Sequence, residues 1–193
     1  KKEAELRLVA WEITRNCNLN CVHCRAAATM GPYEGELDTK ACLTLLDQIA
    51  EVGQPIIILT GGEPLLRPDI FDVASYGTSK GLRMVMAVNG TLVTQKTAEK
   101  MAESGIRRIS ISIDGATKEV HDTFRGVPGA FEGAMSGISL AKAAGIEFQV
   151  NTTITQRNIE QIPHILKLAE DLGAAALHIF LLVPTGRGKY IAT

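Results

Sequence analysis

No apolar run in this sequence approaches the roughly 20 residues needed to span a bilayer as a helix. The charged start, Lys1-Lys2-Glu3-Ala4-Glu5, is not followed by the apolar core of a secretory signal. Neither sign of charge is in excess. Twenty Lys and Arg stand against 21 Asp and Glu, a formal charge of −1, so no nucleic-acid surface is expected. Linkers and low-complexity segments are also missing, and one domain over 1–193 is the expectation. Its abrupt start and end read as those of an excised domain or of a partly ordered longer chain. Cysteines are few, but three of the four fall within eight residues. In a reducing, cytoplasmic setting, such a cluster favours metal over disulfide. The oligomeric state is not legible.

What is present is an alternation of apolar, β-branched runs with helical patterns. Strands are expected at Leu8–Thr14, Pro55–Thr60, Leu82–Val88, Arg108–Asp114, Ile146–Ile154 and Ala175–Val183. Several look apolar on both faces, as buried parallel strands do. Between them, Cys42, Leu45, Leu46 and Ile49 make a helical stripe behind the cap pair Asp38-Thr39. Asp69 opens a helix with Ile70, Phe71 and Ala74 inward, and Thr94 caps one burying Ala98, Met101 and Ala102. Further helices are expected over 130–144 and from about Asn158 to Leu172. In the last, Ile162, Ile165, Leu166 and Ala169 form the stripe, and Pro163 pushes the regular start toward Gln161. This is an α/β chain with a parallel sheet and right-handed crossovers. Six strands are too few for a closed eight-stranded barrel, so a partial barrel and an open doubly wound sheet both fit. In either, ligands meet the carboxyl ends of the strands.

Polar and glycine residues collect at those ends. Cys17-Asn18-Leu19-Asn20-Cys21-Val22-His23-Cys24 follows the first strand, and Thr60-Gly61-Gly62-Glu63-Pro64 the second. Asn89-Gly90-Thr91 follows the third, and the fourth ends in Ser112-Ile113-Asp114-Gly115 with Arg125-Gly126 beyond. Asn151-Thr152-Thr153 lies on the fifth, and Pro184-Thr185-Gly186-Arg187-Gly188 follows the sixth. Three thiolates cannot complete a four-thiolate shell, but they could bind a four-iron cluster and leave one iron open to a non-protein ligand. A zinc site with His23 as fourth ligand, or free thiols, are the plainer alternatives. Gly61-Gly62 would let backbone approach a ligand. Asp114 could accept from a hydroxyl, and Arg125 could bind a carboxylate bidentately. The plain readings are a turn for Asp114 and a surface ion pair for Arg125. His121 precedes Arg125 at the expected open face. Arg67, Arg187 and Lys189 could meet substrate carboxylates or simply be solvated. Cys42, on its helix stripe, reads as core.

Cys17-x3-Cys21-x2-Cys24 after one strand, with Gly61-Gly62-Glu63-Pro64 after the next, resembles the radical S-adenosylmethionine enzyme superfamily. The likeness runs from Leu8 to about Gly188. It implies a partial (β/α)6 TIM-like barrel, with Cys17, Cys21 and Cys24 on a [4Fe–4S] cluster and S-adenosyl-L-methionine chelating the fourth iron. One electron would then cleave the sulfonium to a 5′-deoxyadenosyl radical that abstracts hydrogen. By family position, Gly61, Gly62 and Glu63, with Pro64 behind them, would contact the methionine amine, mainly through backbone. Ser112 and Asp114 match ribose-side positions, and Arg125 a carboxylate-side position. Asn89 and Asn151 would line the pocket. His23, by its backbone, and the loop Leu182-Val183-Pro184 would meet the adenine. The Gly-x-Ile-x-Gly pattern of some members is not matched at Gly145-Ile146-Glu147-Phe148-Gln149.

Trp11-Glu12-Ile13-Thr14-Arg15-Asn16-Cys17-Asn18-Leu19 is similar to the SPASM-type branch, whose members carry a C-terminal extension with further clusters. That extension and its cysteines are expected to lie outside this chain. Val22-His23-Cys24-Arg25-Ala26, 124–131 and 178–188 look most like the alternative heme and heme d1 biosynthesis group. Within it the nearest likeness is to didecarboxysiroheme processing. The resemblance implies modification of carboxylate side chains on a siroheme-derived iron tetrapyrrole, with an electron donor such as a flavodoxin or ferredoxin. A peptide or quinone-cofactor maturase is the rival within the same chemistry. A non-enzymatic zinc- or cluster-holding protein is the rival of another class.

Overall fold

A computed structural model describes residues 5–191; the charged start at 1–4 lies outside them. Six strands form one parallel sheet: β1 (Leu8–Thr14), β2 (Ile56–Gly61), β3 (Arg83–Val88), β4 (Arg108–Ser112), β5 (Glu147–Ile154) and β6 (Leu177–Leu181). Their spatial order is the chain order, β1 through β6. There is no switch point, so the doubly wound alternative falls and the sheet is a partial barrel with two free edges. Helices α1 (Thr39–Val52), α2 (Ile70–Ser79), α3 (Gln95–Glu103), α4 (Lys118–Arg125), α5 (Ala130–Ala143) and α6 (Ile162–Leu172) lie between the strands. No helix among the described residues is long and apolar enough to cross a membrane.

The local signals act as their chemistry requires. The Asp38 side chain accepts from Ala41 N–H at 2.8 Å to cap α1, and Thr94 and Thr97 form a reciprocal box at α3. Gly126 and Gly173 end α4 and α6 in the left-handed conformation. Pro163 sits in the first turn of α6, where its missing N–H costs nothing.

The sheet's two faces differ more than the sequence suggested. In β2 to β5 buried residues alternate with half-buried ones. Ile57, Leu59, Met84, Met86, Ile109, Ile111, Phe148 and Val150 pack into the main core cluster. The opposite face carries Thr60, Ser112, Asn151 and Thr153, so β4 and β5 are not apolar on both faces; this face lines a cavity. Strand β6 is an exposed edge, with Leu181 77% accessible. Leu166 is exposed, not part of the α6 stripe, and Val73 joins Ile70 and Ala74 in the core more fully than Phe71. Helix α4 was not anticipated. Its buried face is His121, Phe124 and Arg125, and two polar members of three hide the apolar period.

Arg67 does not face solvent or substrate. It is buried and donates to Ile13 O at 3.0 Å, Leu37 O at 2.8 Å, Cys42 Sγ at 3.3 Å and both oxygens of Asp69. One guanidinium therefore ties the end of β1 to the start of α1 and to the entry of α2. Truncation would leave Asp69 and two carbonyls without their donor. Arg67→Met is expected to lower unfolding free energy by about 3 kcal/mol, read as a reduced urea midpoint at unchanged slope, with Arg67→Lys recovering part of the loss.

Candidate functional site

Beyond β1 the chain runs without regular structure to Thr39, and its shape comes from borrowed hydrogen bonds. Cys17 N–H donates to Thr29 O, Cys24 N–H to Cys21 O and Ala27 N–H to Cys24 O, at 3.1–3.2 Å. The loop also lies along the end of α4, with Asn20 N–H to Arg125 O at 3.1 Å and Val22 N–H to Phe124 O at 3.0 Å. These bonds bring Cys17, Cys21 and Cys24 onto one cavity of about 370 Å³ at the carboxyl ends of the strands. All four cysteines are free thiols, and Cys42 is fully buried on α1, as its place on the stripe implied. Burial, and secondarily the neighbouring thiols and Glu63, push the Cys17 thiol up to about 11, against the Leu19 N–H that favours its thiolate. A bound cation inverts that balance and deprotonates a coordinating thiol.

The fit to a cluster rests on what converges here. Three thiols share one cavity, yet among the described residues no three His, Cys, Asp or Glu side chains gather about a single ion. A cluster spread over four irons holds its thiolates farther apart than one ion does. His23 lines the same cavity with its Nδ1 buried and unpartnered.

The Gly61-Gly62-Glu63-Pro64 turn is pressed against the cysteine loop. A Cβ on Gly61 would lie 2.2 Å from Thr14 O, and one on Gly62 2.1 Å from Asn16 O. Gly61 also has a φ of +128°. This closeness lets Gly62 N–H reach Thr14 O and Glu63 N–H reach Asn16 O, both at 2.7 Å. Gly61 and Gly62 line the cavity; the Glu63 side chain does not, being fully buried. Its carboxylate accepts from Asn89 N–H at 2.7 Å and Leu65 N–H at 3.1 Å. Burial raises its pKa to about 7 despite those two donors. Pro64 is buried and opens the short 3-10 turn Pro64–Leu66. Asn89 lines the cavity, donates to Asn18 Oδ1 at 2.8 Å and accepts from Thr91, so the β3 loop is bonded to the cysteine loop as well.

A buried charged group stands beside the thiols. Arg125 Nη2 is 2.5 Å from Asp114 Oδ2, and Nη1 is 3.6 Å from Cys21 Sγ. The Asp114 contact is one of charge, off the line of a good hydrogen bond, and Asp114 Oδ1 accepts from Thr153 N–H at 2.8 Å. Two expectations change. Asp114 is fully buried and does not line the cavity, so it supports the site from behind and cannot receive a ribose hydroxyl there. Arg125 is no surface ion pair: it lines the cavity while bound to Asp114. His121 is buried off the cavity; its Nδ1 accepts from Asp114 N–H at 3.2 Å. The His23 ring packs at a tilt of 39° against Phe124, with 4.7 Å between centroids. Burial above all holds both histidines down to about 4 and hence neutral.

Ser112, Asn151 and Leu182 line the cavity; Pro184 is exposed and lies outside its lining. Sequence reasoning passed over Thr60 and Thr153, which strand alternation places on the same face as Ser112. It also passed over Phe180 and Leu181, which with Val183 form an apolar wall, and the Glu12–Arg25 ion pair at the rim.

The Radical SAM superfamily model matches residues 11–169. An "AdoMet-dependent heme synthase" of Oleidesulfovibrio alaskensis is 57% identical over 96% of this chain and 48% of its own length. One of Methanosarcina barkeri is 54% identical over 94% of this chain and 52% of its own. The "Fe-coproporphyrin III synthase" of Methanosarcina barkeri is 39% identical over 94% and 45%. The chain thus spans about half the length of these relatives. Among solved structures, methylornithine synthase superposes with a TM-score of 0.79 at 16% identity, over 98% of this chain and 58% of that one. Streptococcus suis SuiB bound to S-adenosylmethionine gives 0.77 at 18%, over 93% and 41%. At such identities the shared property is the fold.

His121 predicts a pH response. Below 6.5 the unfolded chain takes up a proton that the folded chain refuses until about 4. Its contribution to stability is therefore complete above pH 6.5 and lost as pH falls toward 4. His121→Asn keeps an acceptor for Asp114 N–H and removes the titration. The stability difference, wild type minus variant, is expected to fall by roughly 3 kcal/mol between pH 7 and 4 in paired urea titrations. Pairing cancels the opposite slope from Glu63.

Proposed function

This chain belongs to the Radical SAM superfamily, and from that premise we propose that it carries the radical-generating half of an enzyme that modifies carboxylate side chains of an iron tetrapyrrole on the route to heme. The observation that carries the reading is the shared cavity: three thiols, two glycines pressed to the loop that bears them, and neutral His23 all open onto it. Cys17, Cys21 and Cys24 would hold the [4Fe–4S] cluster, with S-adenosyl-L-methionine beside it. Reduced, the cluster supplies the electron for reductive cleavage of that cofactor.

The chain's own groups would bind and orient. Gly62 and Glu63 spend their N–H groups on Thr14 and Asn16, so the backbone at Gly62 is left with its carbonyl, which suits the methionine ammonium. Ser112, Asn151 and Thr153 offer neutral hydroxyl and amide partners for a ribose. His23, kept uncharged, suits an adenine. Asn89 orients the cysteine loop through Asn18. Phe180, Leu181 and Val183 offer an apolar wall to a flat macrocycle, and Arg25 is the exposed cation of the lining. The heme synthases match at 54–57% against 39% for the Fe-coproporphyrin III synthase. Within the tetrapyrrole group this favours the heme-forming reaction. Four free thiols agree with a reducing cytoplasm. The auxiliary clusters of a SPASM-type extension and a flavodoxin- or ferredoxin-type donor complete the proposal.

The test uses the full-length protein, reconstituted anaerobically. Wild type should show iron–sulfur absorbance, release 5′-deoxyadenosine and change the mass of an iron tetrapyrrole bearing propionates. Alanine at Cys17, Cys21 or Cys24 should abolish all three; alanine at Cys42 should abolish none. Retained 5′-deoxyadenosine in the first three variants would overturn the cluster assignment. An unchanged tetrapyrrole with active wild type would overturn the substrate.

A further inference from the structure

Arg187 lies beyond the residues matched by the family model, on the 3-10 segment Gly186–Tyr190 that follows β6. It neither points into the cavity nor stands free in solvent. Its Nε donates to Cys21 O at 2.8 Å, its Nη1 to Ala28 O at 2.9 Å, and its backbone N–H to Cys24 O at 2.9 Å. The preceding residue makes this possible. A Cβ on Gly186, whose φ is +54°, would lie 2.3 Å from Cys24 O and 2.2 Å from Arg25 O. At Gly188 a Cβ would stand 3.3 Å from His23 O. One short segment therefore gathers carbonyls from a stretch that has no helix or strand to hold it.

Those carbonyls belong to the residues whose thiols face the cavity. Cys21 and Cys24 line it; Arg187 does not. The backbone is thus gripped on one side while the sulfurs are presented on the other. Cys21 O and Cys24 O already close the turns to Cys24 N–H and Ala27 N–H. Arg187 adds one donor to each of these two turn carbonyls, its charged Nε to Cys21 O and its backbone N–H to Cys24 O. The grip also joins the two free edges of the sheet, since the cysteine loop follows β1 and the segment follows β6.

We propose that Arg187 is a positioning residue: the segment after β6 is a latch that holds Cys21 and Cys24 in their cluster-binding arrangement before the cluster arrives. This rests on the reading of those cysteines as cluster ligands. A preformed loop does not have to be ordered at the expense of cluster binding, so the latch should slow cluster loss. The loop carbonyls accept hydrogen bonds from any donor of suitable reach, so Arg187→Lys keeps part of the side-chain grip, whereas Arg187→Met keeps only the backbone bond to Cys24 O.

The experiment compares wild type, Arg187→Lys, Arg187→Met and Gly186→Ala in the full-length protein, in two states. Without cluster, hydrogen exchange of peptides covering 20–28 should speed up at least tenfold in Arg187→Met and Gly186→Ala. Exchange in β3 and β4 should stay at the wild-type rate. With cluster, loss of iron–sulfur absorbance to a chelator should be at least tenfold faster in both, with Arg187→Lys between them and wild type. Unchanged exchange over 20–28 in Arg187→Met overturns the latch. Equal acceleration throughout the sheet also overturns it, since that marks a merely structural role. A wild type that takes up no cluster overturns the underlying assignment of the cysteines, which the exchange data alone do not test.

Discussion

The site depends on a backbone approach that only glycine permits. At Gly61 and Gly62 the second loop comes so near the first that a methyl group would sit far inside van der Waals contact distance of Thr14 O or Asn16 O. Because the two chains touch there, Gly62 and Glu63 can spend their N–H groups on the root of the cysteine loop. The Glu63 side chain then turns inward and accepts from Asn89 N–H, and Asn89 reaches back to Asn18. The contacts form a closed circuit from the first loop to the second, to the third and back to the first. A loop with no regular structure is thereby held by its neighbours' backbones, which are themselves fixed by parallel strands. The cost falls on Glu63, whose buried carboxylate is hard to ionise near neutrality.

Charge is managed by a different device on the other side of the thiols. Arg125, Asp114 and His121 crowd together out of water, with half-buried His23 beside them. Burying an ion pair seldom adds stability by itself. Here it has two consequences that hydrophobic residues could not supply. Asp114 holds Thr153 N–H through one oxygen and Arg125 through the other, linking β5 to α4. Arg125 in turn brings a fixed positive charge to Cys21 Sγ. Both histidines stay neutral because burial outweighs the nearby carboxylate. The ions of this group, Arg125 and Asp114, are thus paired with each other.

What the sequence revealed and what it concealed divide along the reach of the interactions. Strand ends fall within two residues of their expected places because period and capping are local. The glycine turn and cysteine loop were legible because backbone approach and thiol spacing are written in residue type. Arg67 and Arg187 were misjudged for the same reason as each other. Both looked like free surface cations, and both proved to be gathering points for carbonyls 30 to 166 positions away. Nothing in local composition separates an arginine that points outward from one that closes a loop. Helix α4 escaped because its inward face is part of the charged pocket and not of the apolar core. Asp114 was placed at the right end of the right strand, but alternation of facing ends with β4 at Ser112. Where its carboxylate points is decided by Arg125 and Thr153.

The free edges of the sheet give the fold its latitude. A closed barrel fills its interior with its own side chains; six strands in sequential order leave a concave face with room for polar groups. Here that face is Thr60, Ser112, Asn151 and Thr153 near the thiols and Phe180, Leu181 and Val183 toward the β6 edge. The two regions suit different ligands, a hydroxyl-rich cofactor and a flat apolar ring. The first is built by the loop circuit and is shielded by it. The second lies on the most exposed strand, which has a neighbour on one side only. Solved structures sharing this fold at 16–18% identity carry names as unlike as methylornithine synthase and SuiB. The thiol-bearing end is tied down by backbone contacts that tolerate little change. The apolar wall, by contrast, lies on the exposed β6 edge and the residues that follow it.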